Sequence, residues 1–182
     1  NSLTVDDIAA VLTDLNAYAR RNVITAKTLY RSAKVPFAFN YVDKSLTADH
    51  SSDSQGDHGT HVAGIAAANA TEGTTVVGMA PDAQLVVMQV FSAGGGANWA
   101  TIMAALEDCV RLEVDVANLS LGAAAGFTDP DDAMLETMNL FLESEIQVLI
   151  ASGNDTNNAY MNLFGGDMSL ITNPDIGLTG TP

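Results

Sequence analysis

The sequence predicts an α/β fold in which a mainly parallel sheet carries helices on both faces, a three-layer arrangement that is incomplete in this chain. Three short, almost continuously apolar segments favour it: Gln84 to Val90, Val114 to Leu119 and Ile146 to Ala151. Such segments are typical of parallel strands that helices cover on both sides. Segments with helical spacing alternate with them. In sheets of this kind, ligands bind beyond the carboxyl ends of the strands.

The first 35 residues are predicted to be helical. Thr4 to Asp7 forms a capping box in which Asp7 replaces the usual Glu. Apolar residues then recur at helical spacing, and a second helical stretch from Val23 to Ala33 ends before Pro36. The next segment, Pro36 to Val42, is predicted to be a strand. The apolar face of the first helix consists of Ile8, Val11, Leu12, Leu15, Tyr18 and Ala19.

The remaining elements follow in chain order. Asp43 to Asp57 is polar and predicts a loop, and His58 to Ala70 predicts a helix of small residues. Gly94 to Gly96 is compatible with a turn or with a flat extended segment. Residues 156–182 lack periodicity and predict a loop. Two further helices are predicted, one with Ile102, Ala105, Leu106, Cys109 and Val110 on one face, the other beginning at Asp129-Pro130 and presenting Leu135, Met138, Phe141 and Leu142.

Composition excludes several classes of function. The 182 residues include 22 acidic and 7 basic ones, and the net charge of −15 argues against nucleic acid and anionic membrane surfaces as partners. No apolar stretch reaches the roughly 18 residues that a membrane span needs. The single cysteine, Cys109, excludes an internal disulfide. The chain begins at Asn1 without a Met, and we expect it to be an internal piece of a longer precursor.

The most informative segment is Asp57 to Ile65, where a loop leads into a helix of small residues. His58 stands at the start of that helix. Imidazole titrates near neutral pH, so a histidine held at a cleft suits general-base catalysis. His61 lies one turn further along, and we expect it to be structural because only one of the two can face the cleft.

Four segments in order resemble the motifs of the subtilase family of serine proteases. His58 to Ile65 is similar to the family's histidine motif, and Gly78 to Ala83 to its Gly-x-Ala-Pro-x-Ala entry into a strand. Asn118 to Gly122 is similar to its Asn-Met-Ser-Leu-Gly strand, and Ala151 to Asn154 to its Ala-Ala-Gly-Asn segment. The resemblance covers residues 36–155, and a chance match to all four blocks in order is implausible.

The resemblance implies a site and a substrate. His58 would be the general base, and the side chain of Asn154 would donate to the oxyanion. The substrate would be a polypeptide in an extended conformation. No cofactor is evident, although the resemblance admits calcium in the full-length protein. The residues expected to contact substrate are Gly94, Gly95, Gly96, Ser120, Leu121, Gly122, Ser152 and Gly153.

Two motifs of the family are absent from these 182 residues: the Asp-Thr/Ser-Gly string of the triad aspartate and the Gly-Thr-Ser-Met-Ala string of the nucleophile. Asp43, Asp53 and Asp57 lie too close to His58 to replace the former. We therefore expect both groups to lie outside the chain, and the chain alone to be inactive.

The helical stretch of residues 1–35 resembles an insertion in large cell-envelope proteases of Gram-positive bacteria, similar to lactocepins and streptococcal C5a peptidases. Asn173 to Gly177 also resembles those enzymes. The resemblance implies a secreted or cell-wall location. It divides the chain into an insertion (1–35), a partial catalytic core (36–155) and a connecting loop (156–182).

Two alternatives remain open. His50, His58 and His61 lie near Asp53 and Asp57, as in a metal site, but the histidine spacing does not match the i, i+4 ligand pattern of His-Glu-x-x-His. The full-length protein is alternatively a protease-like binding protein that has lost catalysis, which the presence or absence of the nucleophilic serine decides.

Overall fold

The computed structural model describes residues 2–18, 23–49, 57–73, 75–121, 139, 141 and 143–151. These residues fall into two compact units, which divide between Val114 and Asp115. The helices in the described residues are α1 (Val5–Val11), α2 (Ala26–Leu29), α3 (His58–Ala67) and α4 (Trp99–Arg111), and the strands are β1 (Phe37–Asn40), β2 (Val86–Gln89), β3 (Val116–Leu119) and β4 (Gln147–Ile150).

Each unit contains one pair of parallel strands. In the first unit β1 pairs with β2, with Phe37 opposite Val86, and α3 lies between the two strands in the chain. In the second unit β3 pairs with β4, with Val116 opposite Gln147. Parallel strands separated by helices confirm the predicted α/β class.

The hydrophobic core of the first unit joins β1 to the N-terminal segment and α4. Phe37 and Phe39 are buried, and Val86 and Met88 of β2 pack against the same cluster. From the N-terminal segment and α4 the cluster includes Ile8, Leu15, Ala17, Ile24, Ala26, Leu29, Ala105 and Leu112.

The N-terminal segment differs from the sequence prediction. The capping box is confirmed, since the Thr4 backbone N–H donates to the Asp7 carboxylate at 2.8 Å and the Asp7 N–H to the Thr4 hydroxyl at 3.4 Å. However, α1 ends at Val11, and two 3₁₀ turns replace the rest of the predicted helix. Leu15 is extended, because the N–H groups of Asn16 and Ala17 donate to a carboxylate of α4 and not to carbonyls of a continuing helix.

The second predicted helix, Val23 to Ala33, is a single turn in the structure. Thr25 and Thr28 cap its start reciprocally. Tyr30 is extended, and the N–H groups of Arg31 and Ser32 donate to the carbonyl of Val35 in a turn. The predicted helix beginning at Asp129-Pro130 lies largely outside the described residues, as do residues 156–182. Within the described part of the chain, no helix is long and apolar enough to cross a membrane.

Candidate functional site

The candidate general base lies at the first residue of α3. The helix runs from His58 to Ala67, and its first backbone hydrogen bond joins the N–H of His61 to the carbonyl of Asp57 at 2.8 Å. His58 is exposed. An accessible imidazole at a helix start has the access to substrate that general-base catalysis needs.

His61 is also exposed, so burial does not separate the two histidines. Residues three apart are neighbours on a helix surface, and both imidazoles lie near the start of α3. The assignment of His58 as the base therefore stays a prediction that mutation must decide.

The carboxyl end of α3 is held by the segment Gly78 to Ala80. The N–H of Gly78 donates to the carbonyl of Ala68 at 2.8 Å, and the next two N–H groups donate to carbonyls of the helix's last turn. These bonds satisfy carbonyls that a helix end otherwise leaves without partners. A Cβ on Gly78 would lie 2.4 Å from the backbone nitrogen of Ala67, so only glycine allows this approach.

The loop that leads from β1 towards α3 is organised by Asn40, the last residue of β1. Asn40 is 3% exposed, and its Oδ1 accepts from the N–H groups of Val42 and Asp43, at 3.0 Å each. Its Nδ2 donates to the Asp43 carboxylate and to the Thr47 carbonyl. All four hydrogen-bonding positions of the amide are thus used. Sequence reasoning missed this role, although an Asn at a strand end with an Asp three residues later, here Asn40 and Asp43, is a turn signal.

The glycine run after β2 adopts the turn that the sequence left open as one alternative. Gly95 has φ +86°, and its N–H donates to the Ser92 carbonyl at 2.8 Å. The N–H of Ser92 donates to the Gly96 carbonyl, and Phe91 bridges Ala97 in antiparallel fashion. The flat extended segment from which the substrate contact of Gly94 to Gly96 was expected is therefore not what these residues form, and the contact itself stays a prediction.

The remaining candidate residues follow β3 and β4 in the second unit. Ser120 and Leu121 come directly after β3, and the N–H of Ala151, just past β4, donates to the carbonyl of Leu119 at 3.1 Å. This bond places the two strand ends side by side. Gly122, Ser152, Gly153 and Asn154 lie outside the described residues.

Metal ligation finds no support in the described part of the chain, where no three His, Cys, Asp or Glu side chains come together in a form that would hold an ion. His50 and Asp53 of the alternative metal site lie outside the described residues. The calcium that the family resemblance admits stays a prediction.

The most deeply buried charged group among the described residues was missed by sequence reasoning. Asp108 of α4 is fully buried. Its Oδ1 accepts from the Asn16 N–H at 2.7 Å and from Arg111 at 2.9 Å, and its Oδ2 from the Ala17 N–H at 2.9 Å and the Tyr41 hydroxyl at 2.8 Å. Four donors converge on one carboxylate, as a buried charge requires. Its burial and its partners from three elements indicate a structural role.

The neighbouring Cys109 lies in surroundings that disfavour a nucleophilic role. Burial, with a smaller contribution from the charge of Asp108, raises the pKa of its thiol to about 12, so the thiolate is scarce at neutral pH. Its sulfur lies 3.4 Å from that of Met88.

Comparison with known proteins gives the same family that the motifs indicate. The model of the subtilase family matches residues 17–173. A PII-type proteinase of Lactococcus lactis subsp. cremoris is 42% identical over 137 residues, 69% of this chain and 7% of that protein. One from Lacticaseibacillus paracasei is 38% identical over 166 residues, 84% of this chain and 8% of that protein.

A C5a peptidase of Streptococcus pyogenes is 34% identical over 134 residues, 69% of this chain and 11% of its own length. This chain therefore spans about a tenth or less of each of these relatives. The solved structure of a mutant of the protease domain of PatA superimposes with a TM-score of 0.52 and 23% identity, over 62% of this chain and 40% of that one. This similarity supports the incomplete three-layer α/β fold, and the match of the family model over residues 17–173 shows that the chain belongs to the subtilase family.

Proposed function

We propose that this chain supplies the general base and one oxyanion donor of a subtilisin-like serine endopeptidase. His58 takes the proton from the nucleophilic serine and returns it to the leaving amine, while an aspartate fixes its tautomer. Both partners are expected in the rest of the full-length protein, since neither family motif occurs in these 182 residues. The observation that carries the proposal is an exposed His58 at the first residue of a helix within a matched subtilase domain.

Asn154 is assigned to the oxyanion. Peptide-bond attack develops negative charge on the carbonyl oxygen, and a side-chain amide aimed at that oxygen stabilises the transition state without reorganising. Support comes from order in the chain: Asn154 follows four residues after β4, whose end lies beside the end of β3. In parallel sheets these carboxyl ends are where ligands bind.

The substrate is proposed to be an extended polypeptide, and the location extracellular or attached to the bacterial cell wall. Relatives named as proteinases and a peptidase, from Lactococcus, Lacticaseibacillus and Streptococcus, support a polypeptide substrate. The proposed location rests on the sequence resemblance to cell-envelope proteases. The division into an insertion, a partial catalytic core and a connecting loop is part of the same proposal.

The test compares His58→Ala with His61→Ala in the full-length protein. We expect the wild type to hydrolyse an extended peptide, a serine-directed inhibitor to block the reaction, and His58→Ala to abolish turnover. His61→Ala is the matched control, because it removes an imidazole that is also exposed and belongs to the same helix. Loss of turnover in His61→Ala alone, with the fold intact, would reverse the assignment. A wild type that binds peptides without hydrolysing them would instead favour the binding-protein alternative.

A further inference from the structure

A cavity of about 510 Å³ opens on the face of the β1–β2 sheet that lies opposite the hydrophobic core. Val86 and Met88 pack against the core, and successive side chains of a strand project to opposite faces, so Val87 projects away from it. Ala38 pairs with Val87 in the register and shares that face, and the two side chains form an apolar floor. The volume lies within the roughly 300–1,000 Å³ that is typical of small-molecule pockets.

The walls of the cavity are held in place by hydrogen bonds. On one side is the turn before β1, in which the N–H of Arg31 donates to the Val35 carbonyl at 3.2 Å. On the other side are Leu46 and Thr47, and the Thr47 carbonyl accepts from the Asn40 side chain at 3.2 Å. The Arg31 guanidinium joins the two walls by donating to the Leu46 carbonyl. A ligand therefore meets walls that are already ordered, which reduces the entropy cost of binding.

Two side chains of opposite charge, Arg31 and Asp49, line the same cavity and are exposed to solvent. A guanidinium has several N–H donors, so the bond to the Leu46 carbonyl leaves donors for a carboxylate. Asp49 takes part in an interaction within the chain, but a carboxylate has several acceptor positions and can also accept from an ammonium group. The chain's net charge of −15 repels a purely anionic ligand, whereas a zwitterion has no net charge and is not repelled.

We propose that this cavity binds a small zwitterion with an apolar side chain, namely a free amino acid or a short peptide with both termini free. Its carboxylate binds to Arg31, its ammonium group to Asp49, and its side chain packs on the floor of Ala38 and Val87. Arg31 suits this role because the planar donors of a guanidinium match a carboxylate. Hydrolysis of polypeptides releases molecules of this class, but binding itself requires no catalysis and stands apart from the proposed function.

Isothermal titration calorimetry of the full-length protein tests the proposal, with a serine-directed inhibitor present to occupy the proposed active site. L-leucine should bind with a Kd of about 0.1–1 mM, as expected for a ligand of its size. N-acetyl-L-leucine, which lacks the ammonium group, and L-leucinamide, which lacks the carboxylate, should each bind about tenfold more weakly. Comparison with L-alanyl-L-leucine identifies the source of the ligand: the tighter of the two shows whether the site takes a free amino acid or peptide termini.

Variants assign the binding to the cavity. Arg31→Gln should weaken L-leucine binding about tenfold but should not weaken L-leucinamide binding, because the amide has no carboxylate to lose. Asp49→Asn should likewise weaken the binding of L-leucine but not that of N-acetyl-L-leucine. Lys27→Gln is the matched control: it removes one positive charge from an exposed side chain of α2 outside the lining, and L-leucine should bind within about twofold of the wild type. Ala48→Leu enlarges a side chain of the lining and should abolish binding while Arg31 is retained.

The outcomes separate this proposal from the proposed function. A wild type that binds neither L-leucine nor L-alanyl-L-leucine overturns the proposal, and so does binding that neither Arg31→Gln nor Ala48→Leu weakens. Melting temperatures show whether each variant is folded, and if Arg31→Gln is not, wild-type affinity in Ala48→Leu overturns the proposal by itself. A full-length protein that binds L-leucine at this site without hydrolysing peptides overturns the proposed function alone.

Discussion

Replacing Asp108 by Asn should destabilise the first unit far more than its nearly isosteric shape suggests. The new NH₂ group must face either the pair of donors at Oδ1 or the pair at Oδ2. At Oδ2 the Tyr41 hydroxyl can rotate and accept, but the Ala17 N–H cannot. One buried N–H then lacks an acceptor, which costs about 1–3 kcal/mol, and the remaining hydrogen bonds lose their charge assistance. We expect a total loss of about 2–4 kcal/mol.

Urea unfolding of the chain measures this loss. Trp99, the single tryptophan, begins α4 and reports on the helix that carries Asp108. With an m-value of about 1–3 kcal/mol per molar urea, the midpoint should fall by about 1–2 M. Glu107→Gln is the matched control: Glu107 precedes Asp108 on α4 and also contacts Arg111, but it is 38% exposed and should cost less than about 1 kcal/mol. Equal midpoints for the two variants would refute the argument.

Three further predictions follow from individual residues. Gly78→Ala should lower the free energy of unfolding by about 1–3 kcal/mol, because its Cβ overlaps backbone atoms of α3. Gly64→Ala, with nothing within 4 Å of the added Cβ, should be neutral or stabilising, and equal losses would contradict the contact. The raised pKa of Cys109, about 12 against 9.0, contributes stability that is fully present below pH 9 and is lost as pH rises towards 12. The difference between the melting temperatures at pH 7 and pH 10.5 should therefore be smaller in Cys109→Ala than in the wild type. An equal difference in the two proteins would exclude this contribution. Asn154→Ala in the full-length protein should lower kcat by about 10²–10³ with KM nearly unchanged, and an unchanged kcat would remove its oxyanion role.

The features predicted correctly from the sequence are those fixed by neighbouring residues. Thr4 and Asp7 form their capping box three residues apart, and the short apolar segments correctly marked the positions of β2 and β3. The burial expected of those strands is only partial, since β2 is half-buried and exposed and buried residues alternate along β3. The start of α3 at His58 was predicted because a polar loop gives way there to small apolar residues. Such signals are contained in a short window of sequence.

The features that were missed depend on residues distant in the chain. The first helix stops early because Asn16 and Ala17 donate to Asp108, about 90 positions away. A local apolar pattern contains no sign of that acceptor, so the periodicity alone favoured a longer helix. The support that Gly78 gives to α3 was missed for the same reason. The motif around Gly78 was identified in the sequence. That no side chain fits at Gly78 becomes visible only in the structure, where Gly78 lies against the end of α3.

One run of residues, the linker 78–85, connects the N-terminal segment to the helix of the candidate base. At its start, Gly78 and the two residues after it bond to the end of α3. At its other end, the Gln84 side chain bonds to both backbone groups of Leu3, at 2.7 and 3.2 Å, and the Leu85 N–H donates to the Lys34 carbonyl at 2.8 Å. Coupling between sites is carried by such contiguous contacts. Leu3 and Lys34 of the N-terminal segment thus hold the linker that also holds α3, the helix that carries the proposed general base His58.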